Sequence, residues 1–165
     1  MNRALATACH HCGEPLPATP VLVELDGQAR AMCCNGCAAA AAWLRAAGLD
    51  DYYRLRQAPG ARVDEAAADY RSWDREDVQA GHVEHGSDGD RITVVVEGMH
   101  CAACAWLIDR ALQREPGMRE VSANAVTGRV RLAWDPARTK LSALLQRLAA
   151  LGYRPHLARG EQAER

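Results

Sequence analysis

Two patterns of apolar and polar positions divide the chain. From residue 91 onward the pattern is regular. Ile92, Val94 and Val96 alternate with Thr93 and Val95, as in a buried strand. Cys104, Leu107, Ile108, Ala111 and Leu112 then recur at i, i+3, i+4, i+7 and i+8, one face of a helix that Pro116-Gly117 ends. Val121 to Ala125 reads as a second strand and Thr127-Gly128 as a turn. Arg129 to Trp134 reads as a third strand, with Val130, Leu132 and Trp134 on one face and Arg129 and Arg131 on the other. Leu141, Leu144, Leu145, Leu148 and Leu151 form the stripe of a second helix, closed by Gly152, and Tyr153 to Leu157 is a short last strand. This βαββαβ order predicts a ferredoxin-like arrangement over residues 90–158.

Residues 1–58 carry less apolar periodicity and more cysteine. Cys9-His10-His11-Cys12-Gly13 is a CxxC on a tight turn, and Pro15, Pro17 and Pro20 keep the next stretch extended. Val21 to Leu25 reads as a strand, Asp26-Gly27 as a two-residue hairpin turn, and Gln28 to Met32 as the return strand. That strand delivers Cys33-Cys34-Asn35-Gly36-Cys37, with a second CxxC in Cys34 and Cys37. An Ala-rich helix follows from Cys37 to about Ala47, with Trp43 and Leu44 to pack and Gly48 to stop it; a short helix then holds Tyr52, Tyr53 and Leu55.

Two CxxC knuckles predict a small zinc-ribbon or treble-clef-like module in which Cys9, Cys12, Cys34 and Cys37 hold a tetrahedral ion. A unit of this size has little core, so a metal staple is physically reasonable. Cys33 is one thiol beyond four: a spare ligand, a core residue, or a sign that the metal is not zinc. His10 and His11 read as solvated loop residues. Whether the metal only holds the fold or serves sensing or trafficking stays open.

Between the two parts, residues 59–89 read as a partly helical linker. Pro59-Gly60 breaks the chain, Val63 to Gln79 is a charged helix candidate, and residues 81–90 are polar and Gly-rich, with His82 and His85 solvated. Residues 159–165 form a tail. The expected class is α+β, a Cys-rich module preceding a βαββαβ domain.

Composition narrows the chemistry. Seven Cys stand among 165 residues, and the opening residues do not read as a signal peptide. No apolar run approaches the roughly 18–20 residues of a membrane helix. A reducing compartment is therefore expected, where CxxC pairs point to metal or redox work. Residues 1–88 carry 8 basic and 13 acidic side chains, and residues 89–158 carry 10 and 6. Neither half has a concentrated basic face or a basic recognition helix, which argues against nucleic acid as a partner.

The remaining motif is Gly98-Met99-His100-Cys101-Ala102-Ala103-Cys104, between a strand and a helix. Two thiols there can grip a soft metal ion or form a disulfide. The stretch resembles the GMxCxxC signature of heavy-metal-associated domains, small βαββαβ copper-binding modules. With Ala105-Trp106-Leu107-Ile108-Asp109 and the preceding Cys-rich module, the chain resembles the N-terminal region of copper-transporting P-type ATPases of the cytochrome-oxidase-assembly branch. The resemblance implies the cytosolic part of a longer pump, at the cytoplasmic face of the inner membrane. Such a fragment is monomeric and non-catalytic, because the parent's membrane helices, phosphorylated loop and ATP-binding domain are absent from it. Cys101 and Cys104 would accept Cu(I) from a cytosolic copper chaperone and deliver it to the pump or regulate it. Zn(II) or a second Cu(I) would occupy the first module. Met99 resembles the family's inward-packed Met, Tyr153 the aromatic residue beneath the metal loop, and His100 fills the variable position, where zinc-selective relatives tend to carry an acid.

Cu(I) suits this arrangement because it is soft and two thiolates satisfy it. Cys104, in the first helical turn, is expected to gain thiolate character from unpaired N–H groups and the helix dipole, with Cys101 left mobile on the loop. Three rivals remain. A thiol–disulfide oxidoreductase is disfavoured by Ala102-Ala103 between the thiols and by the topology. A free-standing metallochaperone or sensor does not account for the first module. A Zn(II) or Cd(II) pump needs a carboxylate or His to complete the ligand set.

Overall fold

The computed structural model describes residues 7–63 and 69–158. Strands β1 (Val21–Leu25) and β2 (Gln28–Met32) form an antiparallel hairpin with Val21 opposite Met32 and Leu25 opposite Gln28. Asp26 and Gly27 both have left-handed backbone (φ 50° and 75°), the conformation this two-residue turn requires. Helix α1 (Asn35–Ala46) follows, then the short α2 (Tyr52–Leu55). The core of this module is small: Cys9, Leu25, Met32, Cys34, Cys37, Val63 and three alanines of α1. Cysteines and alanines bury little apolar area, so this core contributes little by itself.

The second domain has the expected topology. It comprises β3 (Glu84–Gly86), β4 (Gly89–Glu97), a helix Ala102–Gln113, β5 (Met118–Asn124), β6 (Arg129–Trp134), a helix Leu141–Ala150 and β7 (Arg154–Leu157). With the short helix α3 (Glu76–Gln79) counted first, these helices are α4 and α5. The sheet is antiparallel, in the order β3-β4-β6-β5 with β7 also on β4. Leu107, Ile108, Leu112, Leu144, Leu145 and Leu148 are fully buried beneath Val94, Val130 and Trp134. The two leucine-rich stripes read from the sequence are thus the inner faces of α4 and α5.

The linker departs from the sequence reading. The charged stretch from Val63 to Gln79 is not one helix. Arg71–Asp74 is a 3₁₀ turn, Arg75 is extended, and α3 restarts at Glu76; residues 64–68 lie outside the described residues. Tertiary packing explains the break. Tyr70 and Trp73 meet edge to face, with centroids 6.2 Å apart, and pack against the second domain's core. The Gly-rich stretch ends in β3, which pairs with the first residues of β4 while β7 takes the last, so the two share one edge. His85 is not simply solvated: its Nδ1 lies 2.9 Å from Asp90 Oδ1.

Asp74 adds a tie that no local pattern announces. Ser142 N–H donates to Asp74 Oδ1 at 2.9 Å, and the Ser142 hydroxyl donates to Oδ2 at 2.5 Å. Helix α5 has Lys140 at its N-cap position and no side-chain cap of its own. A linker carboxylate therefore caps it, satisfying one orphan N–H and complementing the dipole. Asp74→Ala is expected to cost about 1 kcal/mol and to lower the thermal midpoint by roughly 2–4 °C, with Asp74→Asn close to wild type, as read by thermal denaturation.

The two modules dock. Leu44, Leu49 and Tyr52 of the first belong to the same buried cluster as the second domain's core. Arg114 Nη1 donates to the Ala47 carbonyl at 3.1 Å, and the Arg147 guanidinium sits 4.5 Å from the Trp43 ring centroid. Burial of each large apolar side chain contributes about 1.5–3 kcal/mol, so this contact belongs to the fold.

Candidate metal centres

The first centre lies where the Cys9–Cys12 turn meets the start of α1. The sulfurs of Cys9, Cys12, Cys33 and Cys37 all lie within 4.8 Å of one another. Cys12 and Cys33 are 3.6 Å apart, and Cys33 and Cys37 3.8 Å. Zn–S bonds of about 2.3 Å imply sulfur–sulfur edges of about 3.8 Å in a tetrahedron, so four thiolates here fit such an ion. Cys34, expected among the four from its CxxC spacing, is not in this group, and Cys33, the supernumerary thiol, is. The reason is helical geometry. Cys34 is the N-cap of α1, in extended backbone, and its sulfur accepts the Cys37 N–H at 3.4 Å. The Cys33 side chain is thereby turned toward Cys37. The Cys34 thiol also reaches the Val63 carbonyl at 3.5 Å.

The thiols differ electrostatically. Burial raises Cys9, but the N–H groups of Cys12, Cys33 and His11 outweigh it and hold this thiol low. Burial and the neighbouring thiols push Cys33 up to about 12. Burial likewise raises Cys37 and Cys12.

His11 is not a solvated loop residue. It is buried, its Nδ1 lies 2.9 Å from the Tyr53 hydroxyl, and burial and Arg56 push its pKa down to about 4. Its Nε2 is buried without a well-formed hydrogen bond, with the Leu151 carbonyl acting on the ring across the module boundary. His10 is half-buried against Tyr53 and also pushed down to about 4 by burial and Arg56. Arg56 holds this turn by donating to both the His10 and His11 carbonyls.

The second centre is the loop from Gly98 to Cys104. Cys101 is the extended N-cap of α4, partly exposed, and Cys104 lies buried in the first turn. Met99 is buried and His100 exposed. Tyr153 lies under the loop, its ring close to Gly98. The donors converge on Cys101 rather than Cys104. Burial raises the Cys101 thiol, but the N–H groups of Gln57, Cys104 and Ala103 turn toward its sulfur and leave it lowered; the two helix amides stand outside full cap geometry. A side chain at the N-cap faces the free amides of its helix, whereas one at the third helical position points away from them.

Sequence reasoning missed the cover on this loop. The segment following α2 crosses it. Ala61 lies over Gly98 and Gly152, and Tyr52 is buried with its hydroxyl 3.9 Å from Cys104 Sγ. Gly60 N–H donates to the His11 carbonyl at 2.9 Å. Residues 57–63 thus form a strap from the first centre, at Val63 and Cys34, to the second, at Gln57 and Cys101. A Cβ at Gly152 (φ 99°) would lie 2.6 Å from the Ala61 carbonyl oxygen. Gly152→Ala is therefore expected to destabilise the protein by about 1–3 kcal/mol through backbone strain and to lift the strap, seen as faster alkylation of Cys104.

Comparison with known proteins gives one family match on each part of the chain. Residues 8–87 match the family described as a putative metal-binding domain of cation transport ATPases, and residues 93–154 match the heavy-metal-associated domain. The chain is a tandem of metal-binding domains. Its relatives include copper- and zinc-transporting P-type ATPases. A copper-exporting P-type ATPase of Bacillus subtilis is 37% identical over 41% of this chain, and a zinc-transporting ATPase of Synechocystis is 38% identical over 35%. The match spans 8% of each of these relatives. The Cu(I)-loaded N-terminal domain of a potential copper-translocating P-type ATPase from Bacillus subtilis is 30% identical, covering 41% of this chain and 84% of that one, with a TM-score of 0.39. Among the described residues no helix is long and apolar enough to cross a membrane.

Proposed function

We propose that this chain is the metal-receiving region of a Cu(I)-translocating P-type ATPase, at the cytoplasmic face of the membrane that holds the pump. Cys101 and Cys104 bind the Cu(I) cargo, taken from a cytosolic copper chaperone and passed to the pump or used to regulate it. The observation that carries this reading is the pair of thiols at the start of α4, one partly exposed and favouring thiolate, the other buried. Two soft ligands suit a soft monovalent ion, and an accessible thiolate lets a donor form a shared-sulfur intermediate. Cys9, Cys12, Cys33 and Cys37 hold a resident ion, Zn(II) by their tetrahedral spacing, with a second Cu(I) the alternative. Cys34 caps α1 beside them. The domains divide near residues 58 and 89, and Met99 and Tyr153 support the second loop.

The zinc-transporting relative favours a second reading, in which the cargo is Zn(II). Anaerobic titration of the reduced chain with Cu(I) and with Zn(II) separates the two. Amide shifts of residues 99–106 report the second centre, and those of residues 9–13 and 33–38 the first. One tight Cu(I) at the second centre and one Zn(II) at the first is the expected result. Zn(II) preference at the second centre would replace the cargo, and a cycling disulfide without metal would replace the function.

A further inference from the structure

The second centre is walled by a residue from outside its own domain. Tyr52 is fully buried, belongs to the short helix α2 of the first module, and enters the second domain's core. Its hydroxyl meets Cys104 Sγ at 3.9 Å, within reach of an O–H···S contact. The Gly98 carbonyl lies 4.0 Å from the same sulfur. A Cβ at Gly60 would come within 2.9 Å of the Tyr52 hydroxyl, so the strap passes close to the phenol oxygen. Tyr153, likewise buried, lies on the inner side of the loop. Cys104 is left 1% exposed while Cys101 stays open.

From this packing we infer that Tyr52 is a positioning and specificity-determining residue of the Cys101–Cys104 centre, filling the ground beside Cys104 that a third or fourth ligand would occupy. The inference rests on the reading of these thiols as the Cu(I) site. Tetrahedral Zn(II) bound by two thiolates needs two further ligands, from water or side chains. A buried phenol whose hydroxyl abuts one sulfur occupies that space, whereas near-linear Cu(I) does not need it. The second domain contributes Tyr153, whose hydroxyl also faces Cys104 and Tyr52. Tyr52 is the part of the wall that only the docked first module brings, so selectivity at the second centre depends in part on the module that carries the first.

The test uses the full chain, reduced and anaerobic, with its first centre filled by one equivalent of Zn(II). Further Zn(II), and separately Cu(I) against a Cu(I) chelator, are titrated while the amides of residues 99–106 are followed. In the wild type, excess Zn(II) is expected to leave these amides unmoved and Cu(I) to shift them. Tyr52→Leu, which keeps a buried apolar side chain but opens space, is expected to raise Zn(II) affinity at this centre at least tenfold, with Cu(I) affinity within threefold of wild type. Tyr52→Phe keeps the ring and should keep the selectivity.

Tight Zn(II) binding by the wild-type second centre would overturn the inference without any variant, which covers the case in which Tyr52→Leu fails to fold. An unchanged Zn(II)-to-Cu(I) ratio in folded Tyr52→Leu would overturn it while leaving the Cu(I) reading standing. Failure of Cu(I) to shift the wild-type amides would remove the Cu(I) reading, and this inference with it.

Discussion

Serine at both position 101 and position 104 is expected to lower Cu(I) affinity at the second centre by at least about four orders of magnitude, roughly 5.6 kcal/mol. A hydroxyl is a hard, protonated donor at neutral pH and does not replace a soft thiolate. The fold should persist. Cys101 is partly exposed, and serine is smaller than cysteine, so it fits the buried Cys104 position without overpacking. Competition against a Cu(I) chelator, with amide shifts of residues 99–106 as the local readout, measures the loss. Retained tight Cu(I) on that loop would mean that other groups hold the ion. Cu(I) appearing on residues 9–13 instead would show that the first centre takes the cargo when the second is removed.

Cys37→Ser is expected to empty the first centre and unfold its module. Cys37 is fully buried, and its sulfur belongs to the group of four. Structural zinc in small domains is worth about 10–16 kcal/mol of apparent folding free energy, and the nine-residue core here, built largely of cysteine and alanine, cannot replace it. Metal content after gel filtration should fall by one equivalent, and amide dispersion over residues 8–55 should collapse. A strong chelator should reproduce both effects in the wild type. The second domain keeps its own leucine-rich core and should remain folded, while Cys104 becomes open to alkylation because Tyr52 and the strap leave with the module. Cys34→Ser is the informative contrast. It costs the helix cap, about 1 kcal/mol, and leaves the metal in place. A larger loss of metal in Cys34→Ser than in Cys33→Ser would restore the pairing that the CxxC spacing suggests.

Cys33 and Cys34 also show where sequence reasoning reaches its limit. Spacing marks Cys34 and Cys37 as a knuckle, and it says equally well that Cys34 can cap a helix. Only the direction of the chain entering α1 decides between these uses. His11 is a similar case. A histidine in a CxxC loop that runs into glycine and prolines looks solvated, yet packing against Tyr53 of α2 buries it. Asp74 and Tyr52 carry no motif at all. Their partners, Ser142 and Cys104, are 68 and 52 residues away. The doublet of tyrosines after a helix stop was the one available signal, since two adjacent aromatics on a four-residue helix have no local surface to cover.

The sequence by itself determined the second domain almost completely. Strand alternation and the two leucine stripes are local periodicities, and a βαββαβ order with buried faces of this kind has few ways to close. It also determined that thiols would gather at two helix starts, because helix signals and CxxC spacing coincide there. What only the tertiary structure decided is how those thiols are used. Cap geometry at α1 put Cys33 and not Cys34 in the four-sulfur group, and contacts between residues far apart in the chain brought Cys9 and Cys12 to it, broke the linker helix, paired β3 with the free end of β4, and laid the first module over the Cys101–Cys104 loop. Local propensity has no term for such contacts; they appear only when apolar surface left exposed by one module is buried by the other.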